Sequence, residues 1–255
     1  MYRRLIALAA VVCALALPRQ AGAQTDEIQV YDGDLSPVGT FNLTWHNNYT
    51  PKGLTTPAFP GAVVSDKSLN GVTEWAYGVT PWFEAGLYLP LYSHSTNLGA
   101  TYDGFKLRAL FAVPHAADRK FFYGANFEFS INQKDWSERR FSSEVRPIIG
   151  WHLKPWDIIV NPILDTDYDG FGKLDFAPAS RIAYNFSDKW ALAAEEYGDY
   201  GQLNSLQPAP QQSHMLYGVV NHTMKFLEIE AGIGFGLTSA SDKVNIKLLL
   251  IKDLN

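Results

Sequence analysis

The chain has 255 residues and a formal net charge of −5, and 47% of its residues are hydrophobic. An acidic chain without basic clusters is a poor partner for nucleic acid, so we expect no nucleic-acid binding. Its single cysteine, Cys13, lies in the apolar N-terminal stretch, and this excludes a disulfide framework or a thiolate metal site in the rest of the chain.

The first residues have the pattern of a secretory signal peptide. Arg3 and Arg4 form a basic start, residues 5–17 are apolar, and residues 21–23 offer a small-residue cleavage site. The apolar stretch is shorter than the roughly 20 residues of a membrane-spanning helix, although an uncleaved anchor is the alternative. We therefore expect a signal peptide over residues 1–23 and one exported domain over 24–255.

Five short turns recur along the mature chain, each between two runs of alternating apolar and polar residues. Their spacing of about 36 residues is a repeat, and each repeat has room for one β-hairpin. The alternating runs are rich in Tyr, Phe, Val and Gly, which indicates strands and excludes helical repeats. The turns are residues 79–82, 114–120, 153–156, 187–190 and 222–226.

Twelve strands follow from this pattern, with the five tight turns at one end and the longer connections at the other. An even strand number with short turns on one side is typical of a transmembrane antiparallel up-and-down β-barrel, an all-β fold. The longer connections are residues 48–71, 93–103, 131–140, 165–171, 199–213 and 237–242. The predicted strands are 38–47, 72–79, 82–92, 104–113, 120–130, 141–152, 156–164, 172–185, 190–198, 214–222, 226–236 and 243–251.

One face of these strands is apolar throughout, and the other mixes charges of both signs with small residues. Phe127 alternates with Glu128, for example, and Leu248 with Lys247. A mixed polar face is typical of a crowded lumen, whereas a soluble sandwich is the alternative. Tryptophans at the tight-turn ends favour the membrane, because such rings lie at the lipid headgroup level. We therefore expect outer-membrane lipid around the barrel, with Trp82, Trp151, Trp156 and Trp190 in the girdle.

The charged side chains of the polar face are the candidate lumen-lining residues. Charges inside a barrel can filter solutes by sign, or they can form a structural network, since buried ions are costly unless paired. We favour the structural role for most of them. The candidates are Glu74, Glu84, Lys106, Arg108, Glu128, Glu144, Arg146, Asp175, Arg181, Glu195, Glu228, Glu230 and Lys247.

Two further patterns suggest chemistry, and both have a simpler explanation. Asp165, Asp167 and Asp169 with Gly170 match the start of a calcium loop, but the twelfth position is not Glu, and a polar turn explains the pattern. Histidines near predicted external strand ends, with serines beside them, suggest a hydrolase site, but neighbouring strand residues point to opposite faces. We therefore expect no metal, cofactor or catalytic residue; the histidines are His46, His94 and His214, and the serines are Ser93, Ser95 and Ser213.

The recurring turn combines an apolar or aromatic strand end with Thr or Ser and then Trp, as in residues 77–83, 151–156 and 184–190. In this it resembles proteobacterial barrels, the transporters of the phenol-degradation MetA-pathway family. The resemblance implies passage of small solutes, aromatic ones among them, through the outer membrane. Our hypothesis is a monomeric channel; a hydrolase at the external rim and a sealed structural or adhesive barrel are the alternatives.

Overall fold

The structure, a computed structural model, describes residues 27–255, so the predicted signal peptide, residues 1–23, lies outside the described part. Three 3-10 helices span Ala116–Asp118, Phe171–Lys173 and Ala209–Gln211. Within the described residues, no helix is long and apolar enough to cross a membrane. The strands are β1 Phe41–Lys52, β2 Ser68–Thr80, β3 Phe83–Ser95, β4 Gly99–Ala112, β5 Phe121–Asn132, β6 Phe141–Leu153, β7 Trp156–Asn161, β8 Leu164–Thr166, β9 Asp175–Phe176, β10 Ala179–Ser187, β11 Trp190–Asp199, β12 Gly201–Gln202, β13 Ser205–Leu206, β14 Ser213–Thr223, β15 Glu228–Gly236 and β16 Val244–Asp253.

All the strands belong to one antiparallel sheet that closes on itself. β1 pairs with β2 on one side and with β16 on the other, so neither terminal strand keeps a free edge. β7 with β8, and β9 with β10, each form one interrupted strand of the wall, while β12 and β13 form a small hairpin beside β9. The wall therefore has twelve strands, and the predicted up-and-down barrel is confirmed.

The connections differ at the two ends of the barrel, as the sequence predicts. The five tight turns lie together at one end, here named the turn end, and most longer connections lie at the other, the loop end. The connection predicted over 93–103 is wrong in length, because β3 and β4 are joined by three residues only. Ser93 pairs with Thr101 and Ser95 with Gly99 in the ladder. These small polar residues lack the alternation that marks the other strands, so the sequence reads them as a loop.

The apolar side chains face outward and the ionised ones inward. Phe127 is 43% exposed whereas Glu128 is 3% exposed. Leu107 is 50% exposed whereas the next residue, Arg108, is 6% exposed. A soluble protein would bury Phe and Leu and expose Glu and Arg. This reversed arrangement is that of a membrane barrel and confirms the predicted orientation.

Aromatic rings form a girdle around the turn end. Trp82, Trp151, Trp156 and Trp190 are all exposed on the outer surface. They are held by neighbouring rings; Trp156 meets Tyr184 edge to face at 4.9 Å, for example. Such amphipathic rings are stable where hydrocarbon meets lipid headgroups. The girdle therefore marks the boundary of the membrane at this end.

Candidate functional site

Ion pairs inside the lumen join residues of the wall strands, some on paired strands and some on strands that are not paired. In the Lys247 network, defined by Arg181, Glu195, Glu230 and Lys247, the fully buried Lys247 Nζ lies 2.5 Å from Glu195 Oε2 and 2.6 Å from Glu230 Oε1. Arg181 also pairs with Glu195, and its Nη1 lies 3.2 Å from Glu230 Oε2. Two cations thus balance two anions, which is how buried charge is tolerated. This network links β10, β11, β15 and β16 across the lumen.

A second group, the Arg108 network, lies on β1 to β4 and consists of His46, Glu74, Glu84 and Arg108. Arg108 Nη2 lies 2.9 Å from Glu74 Oε1, and it also donates to Glu84. His46, fully buried, places its Nε2 3.1 Å from the other oxygen of Glu74. The sequence predicts His46 near the external strand end; the structure instead places it inside the lumen, on the same inward face of β1 as Thr44, Asn48 and Thr50.

The third group, the Arg146 network, contains Lys106, Glu128, Glu144 and Arg146. Lys106 Nζ lies 3.3 Å from Glu128 Oε2, and Arg146 Nε lies 2.6 Å from Glu144 Oε1. Glu128 and Glu144 are opposite each other in the β5–β6 ladder, so the two pairs are neighbours. Eleven of the thirteen predicted lumen-lining residues therefore lie in the three networks. The other two, Asp175 and Glu228, line cavities at opposite ends of the lumen.

An N-terminal segment that the sequence did not predict as part of the lumen runs through it. We name residues 27–37 the strap. Tyr31 is the centre of its attachment: its N–H donates to Asn161 Oδ1 (2.7 Å), its carbonyl accepts from Asn161 Nδ2 (3.0 Å), and its hydroxyl pairs with that of Tyr88. Val30 and Tyr31 also pack in an apolar cluster with inward-facing Leu110, Phe122 and Ile148.

Each ionic network also holds the strap. Lys247 Nζ donates to the carbonyl of Ile28 (3.2 Å), and Arg146 Nη1 donates to that of Gln29 (3.0 Å). The backbone N–H of Ser36 donates to Glu84 Oε2 (2.6 Å). The charged side chains that join the wall therefore also position the strap.

The strap divides the lumen into two cavities. A cavity of about 450 Å³ lies at the loop end and is lined by residues of connections 53–67, 133–140 and 237–243. A second cavity, of about 560 Å³, lies at the turn end. Gln29 of the strap lines both. The lumen thus has the form of two vestibules separated by a thin constriction.

The turn-end cavity contains a carboxyl group that titrates near neutral pH. Asp34 belongs to the strap and lies outside the membrane-spanning strands. Although Asp34 keeps an exposed surface, partial loss of its hydration in the cavity, together with the negative charges of Asp32, Glu228 and Glu84, raises the pKa of Asp34 to about 7. Protonation of Asp34 therefore favours the docked strap, and its ionisation adds repulsion between the strap and the wall.

Comparison with proteins of known structure identifies the class of fold to which this barrel is similar. No protein-family profile matches the chain, and no curated protein sequence matches it. An outer membrane channel from Pseudomonas putida F1 is similar in structure, with a TM-score of 0.59 and 15% identity over 89% of this chain and 100% of that chain. The chain has the fold of an outer-membrane barrel. A KdgM porin in complex with disordered oligogalacturonate has a TM-score of 0.54 and 7% identity, over 84% of this chain and 99% of that chain.

The remaining sequence candidates lie at the loop end of this barrel fold. His94 is exposed on the outer surface, away from the lumen. His214 Nδ1 lies 2.8 Å from Glu196, but its Nε2 lies 3.1 Å from the amide oxygen of Gln212. A serine nucleophile would need that second nitrogen as its base. Ser213 instead points its hydroxyl to Ser241 at 3.4 Å, so Ser213 and His214 do not form the pair that the hydrolase alternative requires.

The calcium-loop pattern forms a polar turn. Asp169 pairs with Arg139 at 2.7 Å, and Tyr168 and Gly170 both have positive φ. Asp165 lies in β8 and lines the loop-end cavity. Within residues 27–255, no group of three or more His, Cys, Asp or Glu side chains is placed to hold a metal ion. Asp165 therefore lines the lumen, whereas Asp169 lies at the surface beside Arg139.

Proposed function

We propose that this protein is a monomeric outer-membrane channel for small solutes, in which the strap forms the constriction. The observation that carries the proposal is the division of one lumen into two cavities by a single thin segment. Each cavity has the size of a small-molecule site. By the usual orientation of such barrels, the turn end faces the periplasm and the loop end faces the outside.

The way in which the strap is attached supports a constriction that can move. The wall strands are held by continuous ladders, whereas the strap is held mainly by side chains, among them Asn161, Glu84, Lys247 and Arg146. Each such hydrogen bond contributes about 1 kcal/mol, or up to about 3 kcal/mol where one partner is charged. Displacing the strap would leave the wall ladders intact. A solute can therefore pass without the barrel opening.

We further propose a chemical class for the transported solute. The resemblance to the phenol-degradation MetA-pathway transporters favours small aromatic compounds. Apolar and aromatic side chains, including Trp136, Met215 and Tyr217, line the loop-end cavity and suit such a ring. A porin for acidic sugars would be expected to present basic residues instead.

The test is single-channel conductance of the refolded mature chain in planar bilayers, compared with a variant that lacks residues 24–35. We expect low conductance from the complete chain and at least a several-fold increase from the deletion. A matched control replaces the β12–β13 hairpin, residues 201–206, by a Gly-Ser linker, because that hairpin does not hold the strap. The control should conduct like the complete chain.

A folded deletion variant that stays silent at all voltages, with no solute uptake into liposomes, would contradict the proposal. The lumen would then be sealed by the wall itself, and the structural or adhesive alternative would stand. Folding of each variant is established first from its mobility shift on heating in gel electrophoresis. This separates a closed barrel from an unfolded one.

A further inference from the structure

The loop-end cavity is lined by more acidic than basic side chains. Among the described residues that line it, the basic ones are Lys106 and Arg146. Lys106 pairs with Glu128, and Arg146 pairs with Glu144 and also, at 3.4 Å, with Glu27. More carboxyl groups line the cavity than these two cations can balance. A cleft lined by one sign of charge between low-dielectric walls raises the local concentration of the opposite ion. The carboxyl groups outside these pairs belong to Asp165, Asp175, Asp199 and Asp242.

A second, independent feature is a set of buried oxygen atoms that no donor among residues 27–255 reaches. Glu27 Oε2, Gln29 Oε1 and Asn245 Oδ1 all belong to residues lining this cavity, and none of them has a hydrogen-bond partner in that part of the chain. Glu27 is 8% exposed and Asn245 is 5% exposed. The amide nitrogen of Asn245 donates to Thr50 Oγ1 at 2.9 Å, which leaves its oxygen to accept from another group.

All three unpartnered atoms are acceptors, and this defines the chemistry that would satisfy them. A buried acceptor without a donor is destabilising. An ammonium group offers three donors and no acceptor, whereas a carboxylate offers only acceptors. A ligand with an ammonium group would therefore meet both the excess of acidic side chains and the unpaired oxygens.

The rest of the cavity wall requires an apolar body on the same ligand. Ile28, Val63, Ile163, Met215 and the indole of Trp136 line it alongside the carboxylates. Its volume of about 450 Å³ is within the range of small-molecule sites. Aromatic rings also attract cations through their faces.

We propose that the loop-end cavity is a binding site for small organic ammonium ions with an aromatic or aliphatic body, such as arylalkylamines. The ammonium lies at the strap, on Glu27, Gln29 and Asn245, and the apolar body lies against Trp136 and Met215. The identification of this ligand with the transported solute rests on the proposed channel function; the binding itself does not. Acidic aromatic compounds of the same shape are excluded by charge.

The experiment uses three probes of one shape: phenethylammonium, 2-phenylethanol and phenylacetate. Their affinities for the refolded barrel in detergent are measured by isothermal titration calorimetry at neutral pH and low salt. We expect phenethylammonium to bind at least about tenfold more tightly than the alcohol, and phenylacetate to bind most weakly. The preference should diminish at high salt, because part of it is electrostatic.

Three variants locate the site. Glu27→Gln should weaken phenethylammonium about tenfold, and Asn245→Asp, which adds a carboxylate at the same position, should strengthen it. Asp118→Asn is the control: it removes an exposed carboxyl at the turn end that lines neither cavity, and it should leave the affinity unchanged.

Equal affinity for the ammonium and the alcohol, no binding of the ammonium, or an equal effect of Glu27→Gln and Asp118→Asn would overturn the inference; water would then satisfy the three acceptors. Because calorimetry needs no conductance, the two proposals fail separately. Ammonium binding by a silent barrel contradicts only the channel. Conductance without ammonium preference contradicts only this site.

Discussion

Replacement of Lys247 by methionine tests whether the Lys247 network holds the barrel together. The ammonium is fully buried and contacts Glu195, Glu230 and the carbonyl of Ile28. Removing one partner of a buried ion pair destabilises a protein by about 3–5 kcal/mol, because the other charge stays buried without compensation. Arg181 still pairs with both carboxylates, so we expect the lower end of that range.

The free energy of unfolding can be measured by urea titration in lipid vesicles, followed by tryptophan fluorescence. Lys252→Met is the matched control, because Lys252 lies on the same strand but is exposed; its effect should stay within about 0.5 kcal/mol. Adding Glu195→Gln to Lys247→Met restores charge balance and should recover at least about half of the loss. Equal stability of Lys247→Met and Lys252→Met, or a double variant less stable than the single one, would refute the reasoning.

Three other substitutions test the strap and the membrane face. A Cβ at Gly78 would lie 2.3 Å from the carbonyl oxygens of Ser36 and Pro37. Gly78→Leu should therefore displace the strap and raise the conductance measured in bilayers. Unchanged conductance would contradict this prediction. Because the pKa of Asp34 is raised to about 7 in the docked strap, docking weakens as the pH rises from about 4 to about 7, and conductance should increase over that range and then level off. Asp34→Asn should make this profile flat. Phe127→Arg places a cation in the lipid and should lower the free energy of unfolding, measured by urea titration, by about 2–4 kcal/mol. A smaller decrease than that caused by a substitution to Arg at an exposed loop residue would contradict the outward orientation of Phe127.

The strands of the wall could be predicted from the sequence because the patterns that specify them are local. Alternation with period two places Phe127 and Glu128 on opposite faces whatever the rest of the chain does, and lipid selects the apolar face. The tight turns have their own residue signals. Prediction weakened at the loop end of β3, where the outward residue between the buried Ser93 and Ser95 is the polar His94, so that the alternation of apolar and polar residues is lost.

The strap could not be predicted because its position depends on non-local contacts. Ile28 and Val30 alternate with polar neighbours like any short strand, but no partner strand pairs with them in a ladder. Their place is set by side chains from distant strands, such as Asn161 and Lys247. The signal available in the sequence was a stretch with strand-like alternation, ending in Asp32-Gly33-Asp34, ahead of the first predicted strand.

The structure also distinguishes two roles that the sequence could not assign to individual lumen charges: a structural network and the selection of solutes by charge. Residues such as Glu195 and Arg108 are neutralised by several partners and hold the strap or the wall, so they present little net charge to a solute. Asp175, by contrast, lies in the loop-end cavity and forms no ion pair with a basic side chain among residues 27–255. Selectivity by charge therefore depends on the carboxylates outside the networks. The networks act on permeation indirectly, because they determine whether the strap stays docked.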